Sequence, residues 1–231
     1  MMKKILFAAA LTSVMSASIA LAEPVNIGVL GVFEIENTKN YQAVMTSLKT
    51  QLDANGCHIQ REGMVVAENG DIDLSQPNQF LYVECVQPVL GSTDRQELFD
   101  PLKSVVSDLA LLEGPVQRPE KGTPISDVTD RSYILKVSYY NNEDPLGRDK
   151  DLKLIGKSLE GVENIYRTEA EIAVTDAYGI KTPDEAILIY YDTLEQGEKF
   201  RSSNKQILKK IGAFNKSHLD AFIYYVAKPI R

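Results

Sequence analysis

The feature that most restricts what this chain can fold into is a correspondence between its two halves at a constant offset of 106 residues. Ile59-Gln60-Arg61 recurs as Ile165-Tyr166-Arg167, and Phe80 to Cys85 matches Ala186 to Tyr191 in residue type. Val25 to Leu30 meets Arg131 to Lys136 in the same frame. Unrelated domains would need equal helix and loop lengths to hold three candidate strands at one spacing. The expectation is a tandem of two similar α+β modules.

Met1 to Ala22 has the grammar of an export signal. Lys3 and Lys4 form a basic start, Ile5 to Leu11 an apolar run, and Ala20-Leu21-Ala22 a small-x-small cleavage site before Glu23. A membrane anchor is the competing reading, but the apolar stretch is short and interrupted by Ser and Thr. No Cys follows the cleavage site, which argues against a lipoprotein. Cleavage after Ala22 and a periplasmic or secreted location are therefore expected, with no membrane insertion. Loss of Lys3 and Lys4 leaves 23 basic residues against 32 acidic, a net charge of −9. That sign argues against nucleic acid and anionic membrane surfaces as partners.

Two cysteines remain, Cys57 and Cys85. In an oxidising compartment a lone pair reads as a disulfide. Each lies in a strand pattern, and Asn69-Gly70 between them signals a turn. A hairpin centred near residue 71 would set them opposite one another. The catalytic alternative lacks a CxxC spacing, although His58 adjoins Cys57. A two-cysteine metal site has little support from a chain with two histidines, so no metal is expected.

Periodicity places a strand over 25–35 and a helix carrying Tyr41, Val44, Met45, Leu48 and Leu52. Strands over 57–67 and 79–89 follow, then a helix that Pro101 either kinks or delays, then a short strand over 111–116. Residues 118–131, with Pro119, Gly122 and Pro124 among charges, read as an exposed linker. The order then repeats from Tyr133. The expected domains are a module over 23–117 and a second over 132–231, each β-α-β-β-α-β.

That order is the ferredoxin-like split βαβ. One face of each sheet would be left bare, and packing the two bare faces together is the natural remedy. In this the chain resembles the dimeric α+β barrel superfamily in a single-chain, fused form. The resemblance rests on element order and duplication over the whole mature chain. It implies a fold class of α+β with two tandem ferredoxin-like modules, their sheets packed face to face. Two domains lying side by side, or each pairing with another chain as a homodimer, are the alternatives.

Strand alternation sets Ile165, Arg167, Glu169 and Glu171 on one face, and Tyr166, Thr168, Ala170, Ile172 and Val174 on the other. The more apolar set is expected to meet the helices, which sends Arg167 and Glu169 into the barrel. Arg167 would be a fork for a ligand carboxylate or phosphate, or else half of an internal ion pair. Glu169 with Glu171 reads as a general base pair or as a solvated strand face. Nine of eleven tyrosines lie in the second half, where Tyr139, Tyr190 and Tyr224 are expected as cavity walls. The competing reading is that Tyr simply favours strands.

Relatives of this fold bind or degrade haem, and others oxygenate small aromatic substrates without a cofactor. Neither His58 nor His218 lies in a motif that matches those enzymes, so no cofactor is expected. No phosphate-cradling loop, HExxH or GxSxG is present. Three functional readings follow: a binder of a small aromatic or carboxylate-bearing molecule, a cofactor-independent monooxygenase or isomerase, and a structural or interaction protein, as monomer or homodimer.

Overall fold

The protein is described by a computed structural model covering residues 26–72, 76–86, 92–117 and 128–230. The expected signal segment and residues 118–127 of the expected linker lie outside the described residues. Among the described residues there are nine strands: β1 (Ile27–Ile35), β2 (Cys57–Gly70), β3 (Gln79–Cys85), β4 (Val106–Gln117), β5 (Ser132–Tyr140), β6 (Arg167–Ala173), β7 (Asp176–Tyr178), β8 (Glu185–Tyr191) and β9 (Leu219–Pro229). The helices are α1 (Thr38–Ala54), α2 (Ser92–Glu97), α3 (Asp100–Lys103), α4 (Pro145–Leu159), α5 (Leu194–Ser203) and α6 (Lys205–His218).

Local chemistry sets several of these boundaries. The Asn37 side chain accepts from the amides of Lys39 and Asn40 and so caps α1. Gly56, at φ 68, lets the chain turn out of that helix into β2. Asp144 caps α4 ahead of Pro145, and Thr193 caps α5. Pro101 opens α3, so the single helix expected in this region is two short ones.

All pairings are antiparallel. The first four strands run in the order β4-β1-β3-β2, and the later ones β9-β5-β8-β6. Two seams, β2 with β9 and β4 with β6, close eight strands into a barrel, while β7 pairs with β4 beyond the end of β6. At the β2–β9 seam a side chain on Gly63 would collide with the Lys228 carbonyl and the Phe80 ring, so only glycine lets the strands approach this closely.

The constant offset does not survive the strand registers. Leu30 on β1 stands opposite Tyr82, and Leu135 on β5 stands opposite Leu188. The β3 and β8 partners are thus 106 residues apart, but the β1 and β5 residues facing them are 105 apart. Arg61 stands opposite Tyr82 while Ala170 stands opposite Leu188, so Arg167 is not the positional counterpart of Arg61.

The barrel interior holds a core of large side chains, among which the Tyr225 hydroxyl is buried without a hydrogen-bond partner among the described residues. Leu30, Val32, Phe80, Tyr82, Leu112, Tyr133, Leu135, Val137, Ile172, Leu188, Ile223 and Tyr225 fill it, all nearly or fully buried. Large side chains from both halves meet there, which hides the faces that the helices do not cover. A second core lies between the first four strands and α1 to α3. It includes Phe33, Tyr41, Leu48, Leu52, Leu81, Val83, Phe99 and Leu102. The corresponding layer under α4 to α6 is sparse, its fully buried apolar members being Leu159, Tyr191 and Phe200.

Cys57 and Cys85 are directly opposed on β2 and β3 and form a disulfide, as the hairpin argument requires. No helix among the described residues is long and apolar enough to cross a membrane. The disulfide closes a loop with a sequence separation of 28. Replacing both cysteines by alanine is expected to lower unfolding free energy by roughly 3–4 kcal/mol, measured by urea denaturation.

Candidate functional site

One end of the barrel interior holds a polar knot. The Tyr133 hydroxyl accepts from Arg61 Nε at 2.8 Å and Arg131 Nη1 at 3.2 Å, and donates to Glu169 Oε2 at 2.7 Å. Arg61 Nη2 also lies 2.6 Å from Glu169 Oε1. The Arg131 guanidinium stacks 4.2 Å over the Tyr190 ring. Burial, with Glu169 beside it, pushes the Tyr133 hydroxyl up to about 12, so it stays protonated and donates. Tyr133 thereby uses its full hydrogen-bonding capacity. Arg131 belonged to the expected exposed linker, yet its side chain is 1% exposed. An arginine in this barrel is stable only where carboxylate and hydroxyl partners meet it, and Glu169 and Tyr133 supply them.

Of the five expected site residues, Arg167, Glu169 and Tyr190 gather at the knot, and Tyr139 and Tyr224 lie elsewhere. Glu169 and Tyr190 join the knot, and Arg167 stands opposite Tyr190 with its Nε 3.6 Å from Asp192. Tyr139 lies at the far end of β5 and donates to the Lys181 carbonyl. Tyr224 faces α6, where its hydroxyl accepts from Asn215 Nδ2 at 3.0 Å; its neighbour Tyr225 is the one in the barrel. The cause on β6 is a bulge between Thr168 and Ala170. A bulge inserts one residue and reverses the alternation beyond it. Ala170 and Ile172 therefore enter the barrel instead of meeting the helices, and Glu171 turns out toward the helices, away from Glu169.

Glu171 lands in the second polar cluster, in the sparse layer under α4 and α6. Lys136 on β5 pairs with Glu185 on β8 at 3.0 Å, and the Tyr140 hydroxyl donates to the same carboxylate. Burial alone would lower the Lys136 ammonium, but Glu185 outweighs it and holds the group above its ordinary value. Burial, then Glu185, raises the Tyr140 hydroxyl. Glu171 has no hydrogen-bond partner among the described residues. Its carboxyl is raised by burial and by the Glu185 charge, with Lys136 opposing. Two further groups there are buried and unsatisfied: the Ser138 hydroxyl and the Asn215 carbonyl oxygen. Buried polar atoms left without partners mark a place where something else supplies them. The equivalent layer of the first half holds a smaller polar group, Glu62 bonded to the Tyr41 hydroxyl and the Gln79 amide, set among apolar side chains such as Leu81 and Val83.

The histidines do not suit a haem. His58 is exposed and pairs with Asp53 at 2.9 Å. His218 ends α6 with its Nε2 2.9 Å from Asp151 and its ring against Phe214, so neither faces the barrel interior. Reading the strands one by one missed Tyr133, Arg131, Lys136 and Glu185 as site residues. The alternation Ile134-Lys136-Ser138-Tyr140 was a signal available for the second cluster, because a lysine in a helix-facing row asks for a buried acid.

Glu169→Gln leaves two arginines at the knot without their carboxylate. It is expected to destabilise the fold by about 3–5 kcal/mol, read from urea unfolding. The same change at Glu171, which holds no partner, is expected to leave stability within about 1 kcal/mol.

The chain matches no protein-family model and no curated protein sequence. Solved structures share its fold. An anthrone oxidase-like protein superimposes with a TM-score of 0.57 at 13% identity, covering 90% of this chain and 93% of that one. A chlorite dismutase of Candidatus Nitrospira defluvii gives 0.56 at 11% identity, covering 91% and 93%. A monooxygenase-like protein from Fusobacterium nucleatum subsp. nucleatum gives 0.52 at 11% identity, covering 90% and 94%. At these identities the likeness is one of fold, and the fold is that of the dimeric α+β barrel proteins.

Proposed function

We propose that this protein is an enzyme of the cofactor-independent monooxygenase or isomerase kind, acting on a small organic molecule in the layer beneath α4 and α6. The observation that carries the reading is Glu171, a half-buried carboxyl with no hydrogen-bond partner among the described residues and a raised affinity for protons. Such a group holds a proton more readily than a free carboxylate, which suits it to take one from a weakly acidic substrate. The Lys136 charge, fixed by Glu185, stabilises the anion that forms, and the Asn215 carbonyl oxygen accepts a substrate O–H or N–H. Returning the proton elsewhere gives an isomerase; oxidation of the anion by dioxygen gives an oxygenase. The fold shared with the anthrone oxidase-like and monooxygenase-like proteins favours the second outcome. With the reaction placed in this layer, Arg167, Glu169, Tyr139 and Tyr190 lie outside the site and Tyr224, bonded to Asn215, lies at its edge.

The same reading includes an exported protein cleaved after Ala22, built from two ferredoxin-like modules over 23–117 and 132–231 and working as a monomer or homodimer. The two strand orders, each with its first strand central, and the disulfide support it. Intact mass of protein recovered from the periplasm is expected to begin at Glu23; a chain still starting at Met1 contradicts export.

Oxygen uptake with anthrone and other acidic phenolic compounds tests the activity. Glu171→Gln is expected to lower kcat by about 100-fold or more. Wild-type activity should rise with pH through a midpoint above the usual carboxylate range of about 4.3. Because the folded state raises this group, its stability contribution is full at low pH and is lost as pH rises through the folded value. The Gln variant should therefore be no less stable than wild type at neutral pH. Unchanged turnover in that variant would refute the role of Glu171.

A further inference from the structure

We propose that the groove between α4 and α6 binds a small amphipathic anion, an apolar body carrying a carboxylate or sulfonate. The groove is lined by side chains of both helices and has a volume of about 440 Å³. That is within the usual range for small-molecule sites, roughly 300–1,000 Å³. Leu154, Ile155 and Ala213 form its apolar walls and Phe214 lies at its floor. Leu154 is 49% exposed, an apolar side chain left uncovered by the described residues.

Charge decides the ligand's sign. The whole chain carries −7, yet α4 has four basic residues against two acidic, and α6 has four lysines and no acid. An acidic protein has concentrated positive charge on one helix pair. Lys157 and Lys210 border the groove from opposite helices. Neither has an acidic partner among the described residues, and Lys210 Nζ is held over the trough by the Ser158 hydroxyl at 2.7 Å. Asp151, the acid in the lining, is engaged by His218. Lys157 sits in the last turn of α4, where it also complements the helix dipole. Lys210, in mid-helix, has no such local reason. A basic face that is only solvated would not need an apolar trough between its lysines. A molecule with one apolar and one anionic end satisfies both.

This site is separate from the one proposed for catalysis. Phe214 stands between them, its ring 6.0 Å from Lys136 Nζ on the inner side. Calorimetric titration of the full chain with 2-naphthoate and with its uncharged isostere 2-naphthamide tests the idea. The naphthoate is expected to bind about tenfold more tightly, with the advantage shrinking at high salt. Lys157→Glu with Lys210→Glu should abolish that preference. Ala213→Phe, which fills the trough without changing charge, should weaken both probes, with circular dichroism confirming that each variant folds. Lys136→Met should leave naphthoate binding unaltered even where it removes activity, so the two proposals fail independently. Equal affinity for the two probes, a preference that persists in the double charge reversal, or no binding of either probe would overturn the inference.

Discussion

A four-stranded sheet with helices on one side must hide its other side from water, and that requirement organises this molecule. Each set of four strands presents a face that its own helices do not reach. The two faces are buried against each other, and the β2–β9 and β4–β6 seams turn two open sheets into one closed barrel. Closure satisfies the strand edges as well as the apolar faces. It also fills the interior with Tyr, Phe and Leu side chains, leaving only the ends of the barrel for polar groups. The Arg61–Tyr133–Glu169 knot sits at such an end, where charge remains within reach of water and of its own partners.

The two halves spend their helices differently. Under α1 to α3 the sheet meets mainly Phe, Leu and Met, with Glu62 the buried acid there, bonded to Tyr41 and Gln79. Under α4 to α6 the same position in the fold holds Lys136, Glu171, Glu185, Tyr140 and Tyr224, with few fully buried apolar side chains. A layer of this kind gives less hydrophobic stabilisation per residue and keeps polar atoms that the chain does not satisfy. One half thus gains more from apolar burial, and the other from buried charge pairs such as Lys136–Glu185.

Much of the architecture was legible because it follows from local rules. The Cys57–Cys85 bridge came from strand alternation about a turn, and the break at Pro101 from a ring that cannot sit in a helix interior. The order of strands and helices came from periodicity. The site was less legible because facing depends on irregularities that leave no pattern in one sequence. A bulge beside Glu169 separated two acids that simple alternation kept together. Tyr224 and Tyr225 were interchanged because neither residue type says which of two adjacent rings faces inward. Arg131 was placed in a polar linker by its neighbours, whereas long-range contacts with Tyr133 and Glu169 draw it inside. The two cationic clusters needed partners from distant strands, and those become visible only once the barrel is closed.

The seam between β2 and β9 joins Gly63 to Pro229 and Gly70 to Ile223, residues far apart in the sequence. Contacts so remote in sequence form only after a large entropy loss, which slows folding relative to proteins rich in local contacts. Until that seam zips, each half carries an exposed apolar face of the kind that drives self-association. The closure of the barrel and its hazard during folding therefore have one origin: the seam that hides both apolar faces joins segments far apart in the chain and so forms late.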